Sequence, residues 1–431
     1  MFGTPQPLRH WTRRSFLAKS STLAASVCLQ SQSSVISAQQ VQKAVTGQNG
    51  VASVAAGMKN PYPYSGLSGE GFPMDAASGH GGWRSGIGGV AYEGEHPYPF
   101  PMLPWNNYAT GSAVESGILP EIKPLIEVQV RDTIVCRGGD GSFYLTGSTG
   151  ENIWAYNRGV ELWKSPDLVR WHYVGLVWDL DKEGTWEKAW RPLHDKPCRA
   201  IWAPEIHYLR GSYYICLSIA PTGISILRST TGKAEGPYVH AFSSEKPILS
   251  AIDPTLFEDD DGKVYFTASS ATRIARLKDD LSGFAEDFHA VSLANSDHTP
   301  SHHAAKCIGR GSNDLGTEGA VLFKADGRYY LGAADEYEGR YSTCLAMSEN
   351  IYGPYTMRHE AVPCAGGTGF FQDSSGGWWT SYFGNDTQSP FREKPAIVKV
   401  DFDAQGKVVV AAKQPFVPDW RPRSQMGSTF Q

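Results

Sequence analysis

The chain has 431 residues, 41% of them hydrophobic and 12% aromatic, with 46 glycines and a formal net charge of −5. This is the composition of a globular, turn-rich protein and excludes a disordered or fibrous chain. The mild negative charge, with no basic run and no zinc-type Cys/His spacing, argues against a nucleic-acid partner, and no later apolar segment approaches the roughly 18 residues needed for a membrane span.

In chain order, Thr12-Arg13-Arg14-Ser15-Phe16-Leu17, then Lys19 and an apolar stretch from Leu23 to Leu29, reads as a twin-arginine export signal. Residues 1–38 are assigned to it, with cleavage near Ala38, and a periplasmic or secreted protein is the expectation. Ala25-Ser26-Val27 lacks the small residue expected just before a lipidated cysteine, so Cys28 is not read as a lipid anchor. Residues 39–59 are small, polar and aperiodic, as linkers are. Residues 60–120 are too rich in proline and glycine for regular elements and too aromatic for a linker. They are predicted to form an irregular extension, either lending Trp83 or Trp105 to the rim of a site or strapping the side of the main domain.

From there on, one phrase returns five times, a turn ending in glycine followed by aromatic or β-branched residues. Its copies turn at Asp140-Gly141, Arg210-Gly211, Asp261-Gly262, Asp326-Gly327 and Ser375-Gly376. Five hairpins roughly 50 to 70 residues apart predict an all-β fold, a five-bladed β-propeller over residues 121–415, because a blade cannot bury its faces alone. Third strands are expected at Gly159–Ser165, Ile224–Ser229, Arg273–Leu277 and Cys344–Ser348, and the final blade is expected to end with strands at Ala396–Phe402 and Val408–Ala411. Asp179 to Arg199 reads as an insertion before blade two, and residues 416–431 as a tail. The six cysteines after the signal are compatible with disulfides or with buried free thiols.

Nine residues before the turn glycine stand Asp132, Trp202, Asp253 and Glu318 in blades one to four. If the innermost strand precedes each hairpin, these positions form one ring around the channel mouth. Cleaving a glycosidic bond needs two carboxyl groups on opposite sides of it, and a tryptophan offers a stacking face for a sugar. An isolated aspartate at a strand end usually just caps a turn, but three carboxylates in one register mark a functional site.

The segments Ile201-Trp202-Ala203-Pro204-Glu205-Ile206-His207-Tyr208, Ile252-Asp253-Pro254-Thr255 through Asp261-Gly262, and Thr317-Glu318-Gly319-Ala320 resemble the signatures of the five-bladed glycoside hydrolases of family 43. The resemblance covers roughly residues 125 to 412. It implies Asp132 as general base, Asp253 as the residue that tunes and orients the acid, and Glu318 as general acid. It further implies an inverting, exported hydrolase of terminal bonds in plant or algal oligo- and polysaccharides, with no cofactor required. Trp202, Arg392 and His302 are the expected substrate contacts; Glu205 and His207 are read as structural, and no residue is assigned to a metal.

The chain departs from the family pattern at Thr133, where proline is usual, and at Glu318-Gly319-Ala320, where Glu-Gly-Pro is commoner. Blade five has Gly366-Gly367-Thr368-Gly369 where many members carry a Gly-His pair that helps hold a channel cation, which argues against a structural calcium. Asp259-Asp260-Asp261-Gly262 lacks the alternating ligands and final glutamate of a calcium loop and reads as a turn. The alternatives are a carbohydrate-binding propeller without catalysis, and a retaining or anhydro-sugar-specific propeller glycosidase.

Overall fold

A computed structural model describes residues 110–415, apart from 127, 150–155, 194–195, 221–222, 243, 270, 292 and 295–314. The assignments for residues 1–59, the export signal among them, and those for Trp83, Trp105, His302 and the tail at 416–431 lie outside the described residues.

Five four-stranded antiparallel sheets follow one another, each a meander in chain order. Their first strands are Arg131–Arg137, Ile201–Leu209, Pro254–Glu258, Glu318–Ala325 and Phe370–Gln372. The expected third strands at Gly159–Ser165 and Ile224–Ser229 hold as read, while those of blades three and four run Arg273–Arg276 and Arg340–Ser348. Five hydrophobic clusters lie between neighbouring blades, one at each of the five interfaces. Leu217, Phe266, Leu331, Val398 and Leu145 are fully buried members, one in each. Each such side chain contributes roughly 1.5–3 kcal/mol, and only a stacked neighbour makes that burial possible.

Among the described residues no strand crosses from one end of the chain to complete the other end's sheet. Instead the ring is closed between blades five and one by Leu125 N–H donating to Pro395 O at 2.7 Å and Val130 N–H to Glu393 O at 3.0 Å. The end of the extension straps blade five: Gly111 N–H bonds Ser389 O at 3.0 Å, and Ala113 and Leu119 pack into the blade-four/five cluster.

The insertion before blade two folds as a short helix, Leu180–Glu183, a 3₁₀ turn, Trp186–Lys188, and a small hairpin of Arg191–Leu193 with Lys196–Cys198. Asp179 caps the helix through the N–H groups of Asp181 and Lys182. Arg199 anchors the unit, its guanidinium 5.3 Å from the Tyr156 ring, 5.0 Å from that of Trp190, and 2.6 Å from Asp181 Oδ1. Cys136, Cys198, Cys216, Cys344 and Cys364 are free thiols.

Candidate active site

Each inner strand is entered through a kinked residue with left-handed backbone, which lies in a bulge in blades one, two and four. Those residues are Asp132 (φ 49°), Ala203 (φ 44°), Asp253 (φ 51°), Gly319 (φ 65°) and Gly367 (φ 61°). The ring expected from counting back nine residues is therefore two rings, offset by one. Blades two and four turn through two residues, Leu209 pairing with Ser212 and Ala325 with Arg328. Blades one, three and five need three, closed by Gly138–Ser142, Asp259–Lys263 and Asp373–Gly377. The extra residue shifts the glycine by one relative to the strand. Asp132 and Asp253 occupy the kinked position, whereas Trp202 and Glu318 precede it, paired with Ser218 and Ala334 as Arg131 is with Ser148.

Left-handed backbone costs a non-glycine residue about 1 kcal/mol or more, and persists where surrounding bonds over-determine it. Here the bulges hold one another. Ser148 Oγ–H donates to Asp132 Oδ2 at 2.8 Å and accepts the Ala203 N–H at 2.7 Å. Ser218 Oγ accepts the Asp253 N–H at 2.8 Å, and Asp253 Oδ2 accepts the Gly319 N–H at 2.9 Å. Blade five is the exception, since it contributes only backbone, packed too closely on its neighbours to carry a side chain. A Cβ on Gly367 would lie 3.0 Å from Asp132 Oδ1, and one on Gly366 would lie 2.5 Å from the Tyr341 ring.

Glu318 accepts a 2.6 Å hydrogen bond from the Tyr341 hydroxyl on Oε1. Burial, then the Glu318 charge, pushes the Tyr341 phenol well above its ordinary value, so it remains a donor. Asp132 is pushed up by burial, against the opposing pull of Arg131 and Ser148. Asp253 is pushed well up, first by burial and then by the charges of Glu318 and Asp132. Three carboxyl groups thus stand within electrostatic reach of one another, so Asp132 and Asp253 do not lose their protons independently.

Two features of this site were not foreseen from sequence. Arg131 Nη1 bonds Glu393 Oε1 at 2.8 Å, and Gln129 donates to the other Glu393 oxygen, placing a guanidinium beside Asp132 and tying blade one to blade five. Arg131 adjoins Asp132 in sequence and could have been noticed. Tyr341 could not, since it is 23 residues from Glu318 in another strand, with no local pattern to mark it.

Of the expected substrate contacts, Trp202 is half-buried against Cys198, Ala200 and Ala220. Arg392 is buried in the loop before Ala396–Phe402, where it feels the charges of Glu393 and Arg131; burial keeps its guanidinium below the ordinary value. The family's channel-cation histidine has no counterpart: Gly366 and Gly367 offer no ligand, and a side chain at either would meet Tyr341 or Asp132. Blade five does not fit that group.

Carboxyl groups gathered from three blades of a five-bladed propeller suit the chemistry of a glycoside hydrolase. The chain belongs to glycosyl hydrolases family 43, whose profile matches residues 122–408. It is 26% identical over 250 residues to the extracellular exo-α-(1→5)-L-arabinofuranosidase of Cellvibrio japonicus, a match covering 53% of this chain and 67% of that protein. It is 27% identical over 248 residues to a xylan 1,3-β-xylosidase of a Vibrio species, covering 55% of this chain and 42% of that one. The chain therefore spans less than half the length of some of its relatives. A GH43 enzyme from Xanthomonas citri, solved with xylose, shares the fold with a TM-score of 0.51 at 19% identity, covering 69% of this chain and 96% of that one.

Proposed function

We propose that this protein is an exported, inverting glycoside hydrolase that releases terminal sugars from plant or algal oligo- and polysaccharides. Asp132 acts as base on a water, Glu318 protonates the departing oxygen, and Asp253 sets the protonation of the acid. The observation that supports this reading is the gathering of carboxyl groups from blades one, three and four, with Asp132 and Asp253 each feeling the Glu318 charge. Blade five stands between blades four and one around the ring, with the Gly367 backbone packed against Asp132 and the Gly366 backbone against the tyrosine bonded to Glu318. An inverting pair must be separated so that a water fits beneath the sugar.

Arg131 favours the ionised, proton-accepting form of Asp132. Trp202 supplies a stacking face, and Arg392 and His302 supply hydrogen bonds to sugar hydroxyls. The relatives named for arabinofuranosides and xylosides make those sugars the first to test. Export rests on Arg13-Arg14 and the apolar stretch after it, and a relative named as extracellular agrees. Among the described residues no helix is long and apolar enough to cross a membrane. The chemistry needs no cofactor, since both proton-transfer groups are side chains. Incubating the full chain with aryl glycosides and with arabinan, xylan and algal oligosaccharides tests the reading by the monosaccharide released. Binding without turnover on all of them would leave a carbohydrate-binding propeller instead.

Asp253 and Tyr341 should move the pH profile in opposite directions. Asp253→Asn removes a negative charge from the carboxyl group, so the last proton leaves at lower pH and the alkaline limb moves down. Tyr341→Phe removes a donor to ionised Glu318, so that limb moves up. A pH series of kcat/KM on both variants checks this, and an unmoved limb in Asp253→Asn would make Asp253 a substrate ligand. Stability carries the matching sign. Because Asp253 is raised in the fold, its contribution is present below the ordinary carboxylate value and is lost as pH rises through the folded one. Asp253→Asn should therefore match the parent's Tm near pH 3 and exceed it near pH 8.

A further inference from the structure

Further down blade two, Glu205, His207 and Cys216 converge in a way that the proposed hydrolysis does not use. Glu205 and Cys216 are paired across the blade's first hairpin, and His207 lies two residues beyond Glu205, on the same face. His207 Nε2 is 3.0 Å from Glu205 Oε2 and 3.6 Å from Cys216 Sγ, and the three donor atoms all lie within 4.8 Å of one another. Glu205 and Cys216 are buried, while Glu205 and His207 line a cavity of about 480 Å³ along the central channel.

We propose that Glu205, His207 and Cys216 form a site for zinc or a metal ion of similar size and softness, with the fourth position open to the channel. A tetrahedral zinc with Zn–N of about 2.0–2.1 Å and Zn–S of about 2.3 Å sets nitrogen and sulfur roughly 3.5 Å apart. The observed 3.6 Å matches that edge; the carboxylate would need to retreat from His207 by a few tenths of an ångström, roughly, and to settle at a similar edge from Cys216, which it already approaches within 4.8 Å. One carboxylate oxygen, one imidazole nitrogen and one sulfur suit zinc and are a poor set for calcium or magnesium, which take oxygen ligands.

Without an ion, Cys216 Sγ–H donates to Pro254 O at 3.0 Å. On binding, that proton leaves to solvent and the thiolate turns to the metal. Because the thiol must give up its proton to bind, affinity should climb with pH. The ion would clip the first two strands of blade two together just past the bulge at Ala203. These residues are distinct from the blade-five positions where a channel cation is expected in the family.

The test uses the full chain, stripped with a chelator and titrated with cobalt(II). The expected result is one equivalent bound, with a near-ultraviolet thiolate-to-cobalt band and intense visible bands of tetrahedral cobalt, all removed by added zinc. Both signals should vanish in Cys216→Ser, which keeps a donor for Pro254 O, and in His207→Gln. Zinc at about a hundred times its Kd should raise the parent's Tm by roughly 5 °C and leave those variants unmoved. Absence of the charge-transfer band in the parent, or its persistence in Cys216→Ser, would overturn the site and leave a hydrogen-bonded trio.

Discussion

Glu318→Gln is expected to slow hydrolysis of oligosaccharides by about 10²–10⁴-fold, the usual worth of general acid catalysis, while aryl glycosides with acidic phenols lose little. A departing sugar alkoxide needs a proton in the transition state, whereas an acidic phenol leaves without one. Glutamine keeps the size of Glu318 and can accept the Tyr341 hydrogen bond, so the fold of the mouth survives. Comparing kcat/KM across a series of leaving groups reads this directly. Equal losses on all substrates would remove Glu318 from the acid role.

The second large effect belongs to Asp132. Asp132→Asn should cost about 10²–10⁴-fold on every substrate, acidic phenols included, because activating the water is needed whatever leaves. The amide can still accept from Ser148 Oγ–H, which holds the side chain in place. The two variants therefore separate base from acid by leaving-group dependence alone. A loss confined to poor leaving groups in Asp132→Asn would exchange the two roles.

The blades and the three carboxylates were legible because each is marked locally. A turn glycine with aromatic residues after it announces a hairpin, and Asp132, Asp253 and Glu318 fall near the start of the strand before one. The single ring was a misreading, because glycine counting cannot see whether a turn holds two residues or three. That difference of one puts Glu318 just before the bulge and Asp132 on it. The contacts made across the ring were beyond local reading. Glu393 reaches Arg131 over 262 residues of chain, and Gly366 matters because only a residue without a Cβ lets the backbone pack against Tyr341. Such contacts depend on how blades one, four and five close on one another, and no periodicity within a blade encodes that. The trio in blade two was visible only in part: Glu205 and His207 alternate on one strand, but Cys216 joins them only once the hairpin is paired.

The measurement closest to the central claim is the anomeric configuration of the first sugar released. Asp132 and Glu318 stand in blades one and four with the bare backbone of Gly366 and Gly367 between them. Carboxyl groups roughly 6.5 to 9.5 Å apart admit a water beneath the sugar, whereas direct attack requires roughly 5 to 5.5 Å. Proton NMR of a reaction with enough enzyme to outrun mutarotation should show a product of inverted configuration, appearing first and only later equilibrating. A first product that retains the substrate's configuration would contradict the single displacement and make Asp132 a nucleophile.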